Sequence, residues 1–467
     1  MILFIILQDV QANTQKGPEQ FIMGSHIRAE RDMYINFIIG RCPFKRPDKE
    51  ITMGKLFTAF FIITLLFTAC ANTDIGKDLP DNGAKTEPNA VLYFEDEKKL
   101  ALDEVAAVQG VIDNLFLYTQ ADAENHTQTF FSYDLLTEEK REIGTVENFV
   151  MSTNPLKYGV HERQLYFYMR TAQNNQEVTG LYELNLEEDN VNIFEQDNIS
   201  GKLSYIATLN ENVILSLKSN SSNFKNSEIS YVEAYDFTNK KKKRIIQKEM
   251  NPNSLKGEKI WAITAKNQFI YLFVVDYDHD SWKIEVHDEK GKLIKESDCN
   301  DSKSFFFSDW VANIEVYGDY VMISSINDVS IYQMTDENIR LVAFASGASG
   351  NIDSFYGAAN LSDSRDDLVV LSSRGKNFFL LDTVQEKLYV SPCMNLEDET
   401  EEHIFQVAQN GPNIVYATSD PILKRRNYYY TNLDVLLDHQ SSVIDLSGEA
   451  VNISAEASYP VPANGER

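Results

Sequence analysis

Short runs of apolar, β-branched and aromatic residues recur from about residue 91 to the end of the chain, and polar turn-forming residues precede them. Runs of this kind between turn residues predict β-strands that are at least half buried. The starts of seven such runs lie 50, 48, 56, 51, 48 and 46 residues apart. These starts are Leu115, Leu165, Val213, Phe269, Tyr320, Leu368 and Ile414.

A second series lies about twenty residues after the starts of these runs, where a strand-like stretch meets a polar residue. The polar residues are spaced 51, 51, 52, 45 and 49 residues apart, and a tight charged turn with a further strand follows most of them. Two series that share one period indicate a repeated structural unit of about fifty residues. The members are Asp134, Asn185, Asp236, Asp288, Gln333 and Asp382.

The period predicts an all-β fold in which each repeat forms one four-stranded antiparallel sheet. A single meander of this size cannot bury both of its faces, so the copies must stack, and radial closure leaves only short edges. Seven copies predict a seven-bladed β-propeller, with six or eight blades or a pair of β-sandwiches as alternatives. In period and strand pattern this region resembles the propeller domains of bacterial cell-envelope lipoproteins, although no Trp-Asp signature is present.

A closed ring needs a clasp between its two chain ends. Val91–Phe94 precedes the first repeat and Val443–Leu446 follows the seventh, so we expect one end to complete a sheet that the other begins. Helix is predicted only for a turn or two within Lys98–Val108. Cys299 and Cys393 occupy matching places in the fourth and sixth repeats, which are not neighbours, so we predict no disulfide between them.

The segment 56–69 (LFTAFFIITLLFTA) consists of fourteen apolar or small residues directly after Lys55. It is shorter than the ~18 apolar residues that a membrane-spanning helix needs, and its length is typical of a secretory signal. Leu66–Cys70 resembles the lipobox of bacterial lipoproteins, except that Phe67 stands where Leu is usual. The resemblance implies a lipid on Cys70 and attachment to the cell membrane on its extracytoplasmic side.

These features divide the chain into four parts. Residues 1–52 are interpreted as a leader outside the true coding region, 53–69 as the lipoprotein signal peptide, 70–90 as a flexible tether and 91–467 as the propeller domain. Met53 is the expected start, because the codons of Lys49 and Glu50 can form a purine-rich ribosome-binding sequence just upstream. The tether is polar, contains two Pro and two Gly, and lacks hydrophobic periodicity.

The chain is strongly acidic, with 43 Lys and Arg against 70 Asp and Glu and a net charge of -27. Nucleic acids and anionic membranes attract clustered positive charge, so we expect no nucleic-acid partner and membrane contact only through the lipid anchor. Aromatic residues make up 11% of the chain, which excludes a disordered acidic protein.

The sequence contains no HExxH, GxSxG, P-loop or dinucleotide-binding motif. We therefore assign no catalytic residue, no cofactor and no metal. Asp276–Asp280 (DYDHD) presents alternate carboxylates like the first ligands of an EF-hand loop. However, Ser281 stands where that loop needs Gly and His287 where it needs Glu, which favours an acidic, solvated turn.

Other segments are candidates for surface contacts. Lys240–Arg244, placed at the outer turn of the third repeat, is interpreted as a charged turn that protects an edge strand, with contact to anionic lipid or wall polymer as the alternative. Lys218–Glu228 and Ser346–Asn351 are candidate recognition loops or ordinary surface loops. Tyr428–Tyr430 and Phe305–Phe307 are predicted to be buried strand residues.

The sequence thus favours a monomeric, surface-anchored binding or scaffold module whose protein or glycan partner contacts one face of the propeller. The alternative is an extracellular glycan- or peptide-acting hydrolase or lyase with its site at the channel mouth, and a sensor or assembly subunit is a third possibility. Three or more carboxylate, His or Arg side chains converging in a concave pocket there would indicate the enzyme.

Overall fold

The all-β prediction is confirmed by a computed structural model of the chain. Among the residues that it describes there are 31 β-strands and one short α-helix. These residues are 97–102, 106–151, 156–173, 176–197, 205–222, 227–299, 313–324, 328–335, 338–346, 356–357, 367–372, 375–396, 402–420 and 425–454.

The strands form antiparallel meanders in chain order, numbered here as sheets 1 to 7. Sheet 1 consists of β2 (Ala107–Ile112), β3 (Leu115–Asp122), β4 (Thr127–Asp134) and β5 (Lys140–Val146). The first strand of sheet 2 is interrupted and forms two pieces that both pair with the next strand. Sheet 2 consists of β6 (Phe149–Met151) and β7 (Gly159–His161), then β8 (Gln164–Gln173), β9 (Gln176–Asn185) and β10 (Asn190–Asp197).

Sheets 3 and 4 are joined at one edge, because the end of the last strand of sheet 3 pairs over two residues with the start of sheet 4. Sheet 3 consists of β11 (Tyr205–Asn210), β12 (Val213–Ser222), β13 (Ser227–Asp236) and β14 (Lys241–Asn251). Sheet 4 consists of β15 (Lys256–Lys266), β16 (Phe269–Asp276), β17 (Ser281–His287) and β18 (Leu293–Asp298).

Sheets 5 and 6 follow the same order, and sheet 7 takes its fourth strand from the other end of the described chain. Sheet 5 consists of β19 (Asn313–Tyr317), β20 (Tyr320–Ser324), β21 (Asp328–Met334) and β22 (Ile339–Ser346). Sheet 6 consists of β23 (Tyr356–Gly357), β24 (Leu368–Ser372), β25 (Asn377–Asp382) and β26 (Lys387–Pro392). Sheet 7 consists of β27 (His403–Asn410), β28 (Asn413–Asp420), β29 (Arg425–Asn432) and β1 (Lys98–Lys99).

One hydrophobic core lies between each pair of consecutive sheets, and a further core joins sheet 7 to sheet 1. In this closing core, Phe116 of sheet 1 packs with Val415 and Tyr428 of sheet 7. First strands of neighbouring sheets lie side by side, as β2 does with β27 and β11 with β15. The described sheets therefore form a closed ring, which is the predicted β-propeller rather than a pair of sandwiches.

The chain ends contribute to three sheets. β1 pairs with β29, Lys98 opposite Tyr430, so the N-terminal side completes sheet 7 as the clasp hypothesis requires, while Val91–Phe94 lies outside the described residues. Val443–Leu446 is not part of this clasp, because β30 (Ser442–Asp445) pairs with β26. β31 (Val451–Asn452) pairs in parallel with β22. The C-terminal segment thus covers the outer edges of sheets 6 and 5.

Both sequence series have a structural cause. The seven apolar runs are the second strands of the seven sheets. Five members of the polar series lie at or just after the end of a third strand, and their side-chain oxygens accept hydrogen bonds from the backbone of the following turn. These are Asp134, Asn185, Asp236, Asp288 and Asp382.

The same position in sheet 7 begins the single described helix, α1 (Leu433–Asp438). Its N-cap is Asn432, whose side chain accepts a hydrogen bond from the backbone of Val435 at 3.0 Å. The helical turn predicted within Lys98–Val108 is wrong, because the described part of that stretch contains β1 and the start of β2. Leu100 and Leu102, within this stretch, are buried in the closing core.

The alternating strand directions give the ring two faces. Face A carries the turns from first to second strands (such as 113–114) and from third to fourth strands (such as 237–240). Face B carries the turns from second to third strands and the connections between sheets. Contacts between neighbouring sheets agree with this definition, since Arg163 and Asp113, both in face A turns, form an ion pair at 3.8 Å.

Candidate functional site

An ion pair crosses the ring. Lys157 lies in the interruption between β6 and β7 of sheet 2, and its Nζ is 2.5 Å from Oε1 of Glu315 on β19 of sheet 5. Sheets 2 and 5 are not neighbours, so this contact spans the central channel that the first strands surround. The Glu315 carboxylate also accepts hydrogen bonds from Asn313 Nδ2 at 2.6 Å and from the Tyr317 hydroxyl at 2.8 Å.

The electrostatics of this pair favour its charged form. Burial raises the pKa of Glu315, but the charge and hydrogen bond of Lys157, together with Tyr317 and Asn313, outweigh it and hold the pKa below its usual range. The carboxylate is therefore ionised at neutral pH. Its negative charge is balanced inside the channel by Lys157.

The segment that carries Lys157 is held in place by sheet 1. Gln109 of β2 is 1% exposed, and its Oε1 accepts hydrogen bonds from the Leu156 backbone at 3.0 Å and the Tyr158 hydroxyl at 3.2 Å. Its Nε2 donates to Thr119 Oγ1 at 2.9 Å. Burial raises the pKa of Tyr158 well above its ordinary value, so its hydroxyl remains a donor at neutral pH. Sheets 1, 2 and 5 are thus linked through the channel.

A second group of buried charges lies between sheets 3 and 4. Glu285 is fully buried and is 2.7 Å from Lys248 Nζ, 3.4 Å from Lys283 Nζ and 2.9 Å from His287 Nε2. Both lysines also contact Glu258, each at 2.6 Å. Burial raises the pKa of Glu285, but His287, Lys248 and Lys283 outweigh it and the pKa falls to about 2. These groups neutralise one another and connect the two sheets.

The acidic segment Asp276–Asp280 forms the turn between β16 and β17. Asp276 accepts hydrogen bonds from the backbone of Asp278 and His279, and its other oxygen is 2.8 Å from His279 Nδ1. Asp278 accepts from the backbone of Gly257 at 3.1 Å. The carboxylates therefore organise their own turn. Across the described ranges, no group of three or more His, Cys, Asp or Glu is placed to hold a metal ion.

The basic segment Lys240–Arg244 lies where the sequence predicted, at the outer turn of sheet 3, and it continues into β14. All of its residues are exposed. Lys242 forms an ion pair with Glu195 of sheet 2, and the Arg244 guanidinium lies 3.8 Å from the centre of the Tyr231 ring. The segment is therefore a charged turn on face A followed by an outer strand.

The candidate loop Lys218–Glu228 is mostly strand. β12 and β13 pair from Val213 opposite Asp236 to Ser222 opposite Ser227, so the extra residues of this repeat lengthen a hairpin. Lys218 is buried and lies 3.1 Å from Glu233 of the neighbouring strand, which lets a charged residue occupy the strand interior. In the other candidate loop, Ser346 ends β22 and residues 347–351 lie outside the described residues.

The aromatic segment Tyr428–Tyr430 lies in β29 and is buried, as predicted. Phe305–Phe307 lies outside the described residues. Cys299 and Cys393 are both buried and form no disulfide, in agreement with the prediction. Each directly follows the fourth strand of its sheet, so their matching places in the repeat are also confirmed.

Cys70 and the segments 1–52, 53–69 and 70–90 lie outside the described residues. No helix within the described part of the chain is long and apolar enough to span a bilayer. The ion pair across the channel was not predicted from the sequence. Glu315 alternates with the buried Ile314 and Val316, a pattern that directs its side chain away from the core, but nothing in the sequence points to Lys157 as its partner.

No protein-family model and no curated protein matches the chain. Among solved structures, it is similar to oligogalacturonate lyase from Vibrio parahaemolyticus, with 9% identity over 73% of this chain and 94% of that chain and a TM-score of 0.46. The propeller domain of the Trilobed protease from Pyrococcus furiosus has 10% identity over 62% and 94% and a TM-score of 0.34. The protein lmo1340 from Listeria monocytogenes has 11% identity over 69% and 93% and a TM-score of 0.38.

Proposed function

We propose that this protein is a binding or scaffold module of the bacterial cell envelope, held on the extracytoplasmic side by a lipid on Cys70. The signal-like segment 56–69 and the lipobox-like Leu66–Cys70 support the anchor. The closed ring supports the scaffold role, because rigid sheets with turns on two faces present loops in fixed positions for a partner.

The binding role rests on one observation: the hairpins between second and third strands differ in length, so they extend to different heights on face B. The β8–β9 and β12–β13 hairpins each contain ten paired residues per strand, whereas β20–β21 and β24–β25 contain five. All four hairpins begin near face A, so those of sheets 2 and 3 extend about 17 Å further at ~3.4 Å per residue. We name the β8–β9 and β12–β13 hairpins the raised hairpins, and they are the proposed recognition surface for a protein or glycan.

The anchor is tested by the mass of the N-terminal peptide of the protein isolated from its natural cells. We expect Cys70 as the first residue, carrying acyl chains, and loss of both the cleavage and the acylation in the Cys70→Ala variant. An unmodified Cys70 inside a longer peptide would contradict the anchor.

The recognition surface is tested by photo-crosslinking in cells. A photoreactive residue is placed at Asn174, between β8 and β9, and at the control positions Glu138 and Asn239 on face A. We expect a defined crosslinked partner only from Asn174. The same products from all three positions, or none from Asn174, would contradict the proposed surface.

The alternative function is a hydrolase or lyase that acts on extracellular glycan or peptide at the channel mouth. Glu315 supplies one carboxylate in the channel, and Lys157 neutralises it. Incubation with oligosaccharide and peptide pools tests this function, with Glu315→Gln as the control. Product formation that depends on Glu315 would favour the enzyme over the binding module.

A further inference from the structure

The Glu315 carboxylate is a preorganised acceptor on the wall of the central channel. Glu315 is the middle residue of β19, between the buried Ile314 and Val316, and its side chain is 12% exposed. Asn313 Nδ2 donates to Oε1 at 2.6 Å, and the Tyr317 hydroxyl donates to Oε2 at 2.8 Å. Alternate residues of a strand lie on the same side, so β19 itself orients the carboxylate toward its cation.

The cation on this carboxylate is a primary ammonium group from a distant part of the ring. Lys157 Nζ lies 2.5 Å from Glu315 Oε1, and this is its ion pair among the described residues. A compact ammonium binds in this way through a single oxygen, whereas a guanidinium binds best when its paired N–H groups meet both oxygens in one plane. The geometry therefore suits an aliphatic ammonium group.

The side chain of Lys157 is able to leave this contact while its backbone stays in place. Leu156 is 2% exposed in the core between sheets 1 and 2, and its backbone donates to Gln109 Oε1 at 3.0 Å. The Tyr158 hydroxyl donates to the same oxygen at 3.2 Å. These contacts hold the chain on both sides of Lys157, whose long side chain has many rotamers. Rotation about its side-chain bonds is therefore enough to free the carboxylate.

Solvent reaches the ion pair inside the ring. The Lys157 side chain is 35% exposed although its Nζ contacts a strand on the other side of the channel. Apolar side chains of similar volume often join two elements as well as a buried ion pair does, so stability alone does not require charges here. A solvated ammonium on a movable side chain, held by an oriented carboxylate, is the arrangement of a site that exchanges its cation.

We propose that the channel binds a small primary aliphatic amine, as its ammonium form, on the Glu315 carboxylate, and that Lys157 is the internal competitor for this site. The site requires neither a lipid on Cys70 nor the raised hairpins, so it goes beyond the proposed function. Because Lys157 is attached to the ring, it competes at an effective concentration on the order of mM, and a free amine binds the wild type more weakly than a variant without this lysine.

The probe for this site is n-propylammonium chloride. Its three carbons and nitrogen replace the Cγ, Cδ, Cε and Nζ atoms that Lys157→Ala removes. Thermal unfolding is measured at pH 7 over a series of amine concentrations, with NaCl added to keep the ionic strength constant. A ligand that binds only the folded chain raises the unfolding midpoint as its concentration rises. We expect Lys157→Ala to respond at concentrations at least tenfold below those that the wild type needs.

Three controls show whether the response comes from Glu315. Lys157→Ala/Glu315→Gln keeps the shape of the site without its charge and should not respond. Lys98→Ala leaves the exposed carboxylate of Glu138 without its lysine and should not respond either. For Lys157→Ala itself, n-propanol, which is neutral, and tetramethylammonium chloride, which has no N–H donor, should not reproduce the effect of propylammonium.

Two outcomes overturn the proposal. The first is a response that persists in Lys157→Ala/Glu315→Gln, or that tetramethylammonium reproduces, because the amine then acts elsewhere. The second is a wild type that does not respond at thirty times the concentration that half-saturates Lys157→Ala, because Lys157 is then a permanent partner of Glu315. If Lys157→Ala does not fold, the same series on Lys157→Gln, which keeps a hydrogen-bond donor beside Glu315, decides between these results.

Discussion

Lys157 and Glu315 lie on opposite sides of the ring, and their charged groups are 2.5 Å apart although 158 residues separate them in sequence. Each hydrophobic core joins two neighbouring sheets around the ring, whereas this ion pair joins two non-adjacent sheets across it. It also holds an ionised carboxylate in the channel, where Lys157 balances its charge and Asn313 and Tyr317 donate hydrogen bonds to it. The ion pair therefore stabilises the ring, independently of what the ring binds.

Removal of Lys157 should destabilise the protein more than removal of its partner. Lys157→Met leaves Glu315, whose side chain is 12% exposed, without its cation, which we expect to lower the free energy of unfolding by about 2 to 4 kcal/mol. Glu315→Gln should cost less, because Lys157 is 35% exposed and can reach water. Urea denaturation measures both changes.

The control for this comparison is Lys98→Met, which removes an ion pair with Glu138 whose side chains are 40% and 50% exposed. An exposed pair contributes about 0 to 1 kcal/mol. Equal losses for Lys157→Met and Lys98→Met would show that the channel pair is no better than a surface pair. The double variant Lys157→Met/Glu315→Gln should resemble Glu315→Gln alone.

Stability of the closed ring should depend on the short connection after β1. Leu100 and Leu102 are 4% and 5% exposed in the core between sheets 7 and 1. Leu100→Ala is expected to cost about 2 to 5 kcal/mol, because the cavity left in a packed core adds to the lost burial. Leu136→Ala, at a 48% exposed position, is the control and should cost under about 0.5 kcal/mol. Thermal and urea unfolding of the two variants test this expectation.

The repeat was predictable because its signals are local. Each second strand is apolar enough to be recognised alone, and the carboxylate or amide oxygens of Asp134 and Asn185 cap turns within three residues of themselves. Interactions between residues close in sequence therefore determine the period and the order of the strands within each sheet. Asn432 occupies the same position in sheet 7 but caps a helix instead of a turn. This difference is also local, because Asn432 accepts from the backbone only three residues further on.

The contacts that join distant repeats were not predictable. The partner of Glu315 depends on which residue of another sheet extends across the channel, and no period in the sequence encodes Lys157. The path of Val443–Leu446 was misjudged for a similar reason: an apolar strand after the last repeat can cover any open sheet edge, and it pairs with sheet 6. The helix predicted near Leu100 was wrong as well: Leu100 and Leu102 are two residues apart, the period of an extended chain, and both are buried in the closing core.

Acid should weaken the boundary between sheets 3 and 4. The pKa of Glu285 falls from 4.5 to about 2 on folding, so between these pH values the unfolded chain binds a proton at this site that the folded chain does not. The free energy of unfolding should therefore decrease as the pH falls from about 4.5 toward 2, by at most about 3 to 4 kcal/mol from this group. Urea denaturation at several pH values measures it.

The comparison for the acid experiment is between Glu285→Gln and Glu296→Gln. Glu285 is fully buried, whereas Glu296 is 53% exposed and contacts only Lys283, at 3.4 Å, among these charges. We expect Glu285→Gln to remove part of the slope below pH 4.5 and Glu296→Gln to leave it nearly intact. If the free energy of unfolding changed with pH in the same way for the wild type and for Glu285→Gln, the role of this carboxylate would be contradicted.

The two buried thiols should be inert in the folded protein. Cys299 and Cys393 are 1% and 3% exposed, and burial raises the pKa of each to about 12, so almost no thiolate is present at neutral pH. Alkylation with iodoacetamide, followed by peptide mapping, should label both only after unfolding. A cysteine introduced by Val384→Cys, at a 75% exposed position, serves as the positive control. Rapid labelling of Cys299 or Cys393 under native conditions would show that the cores after sheets 4 and 6 open, contrary to the packing of the ring.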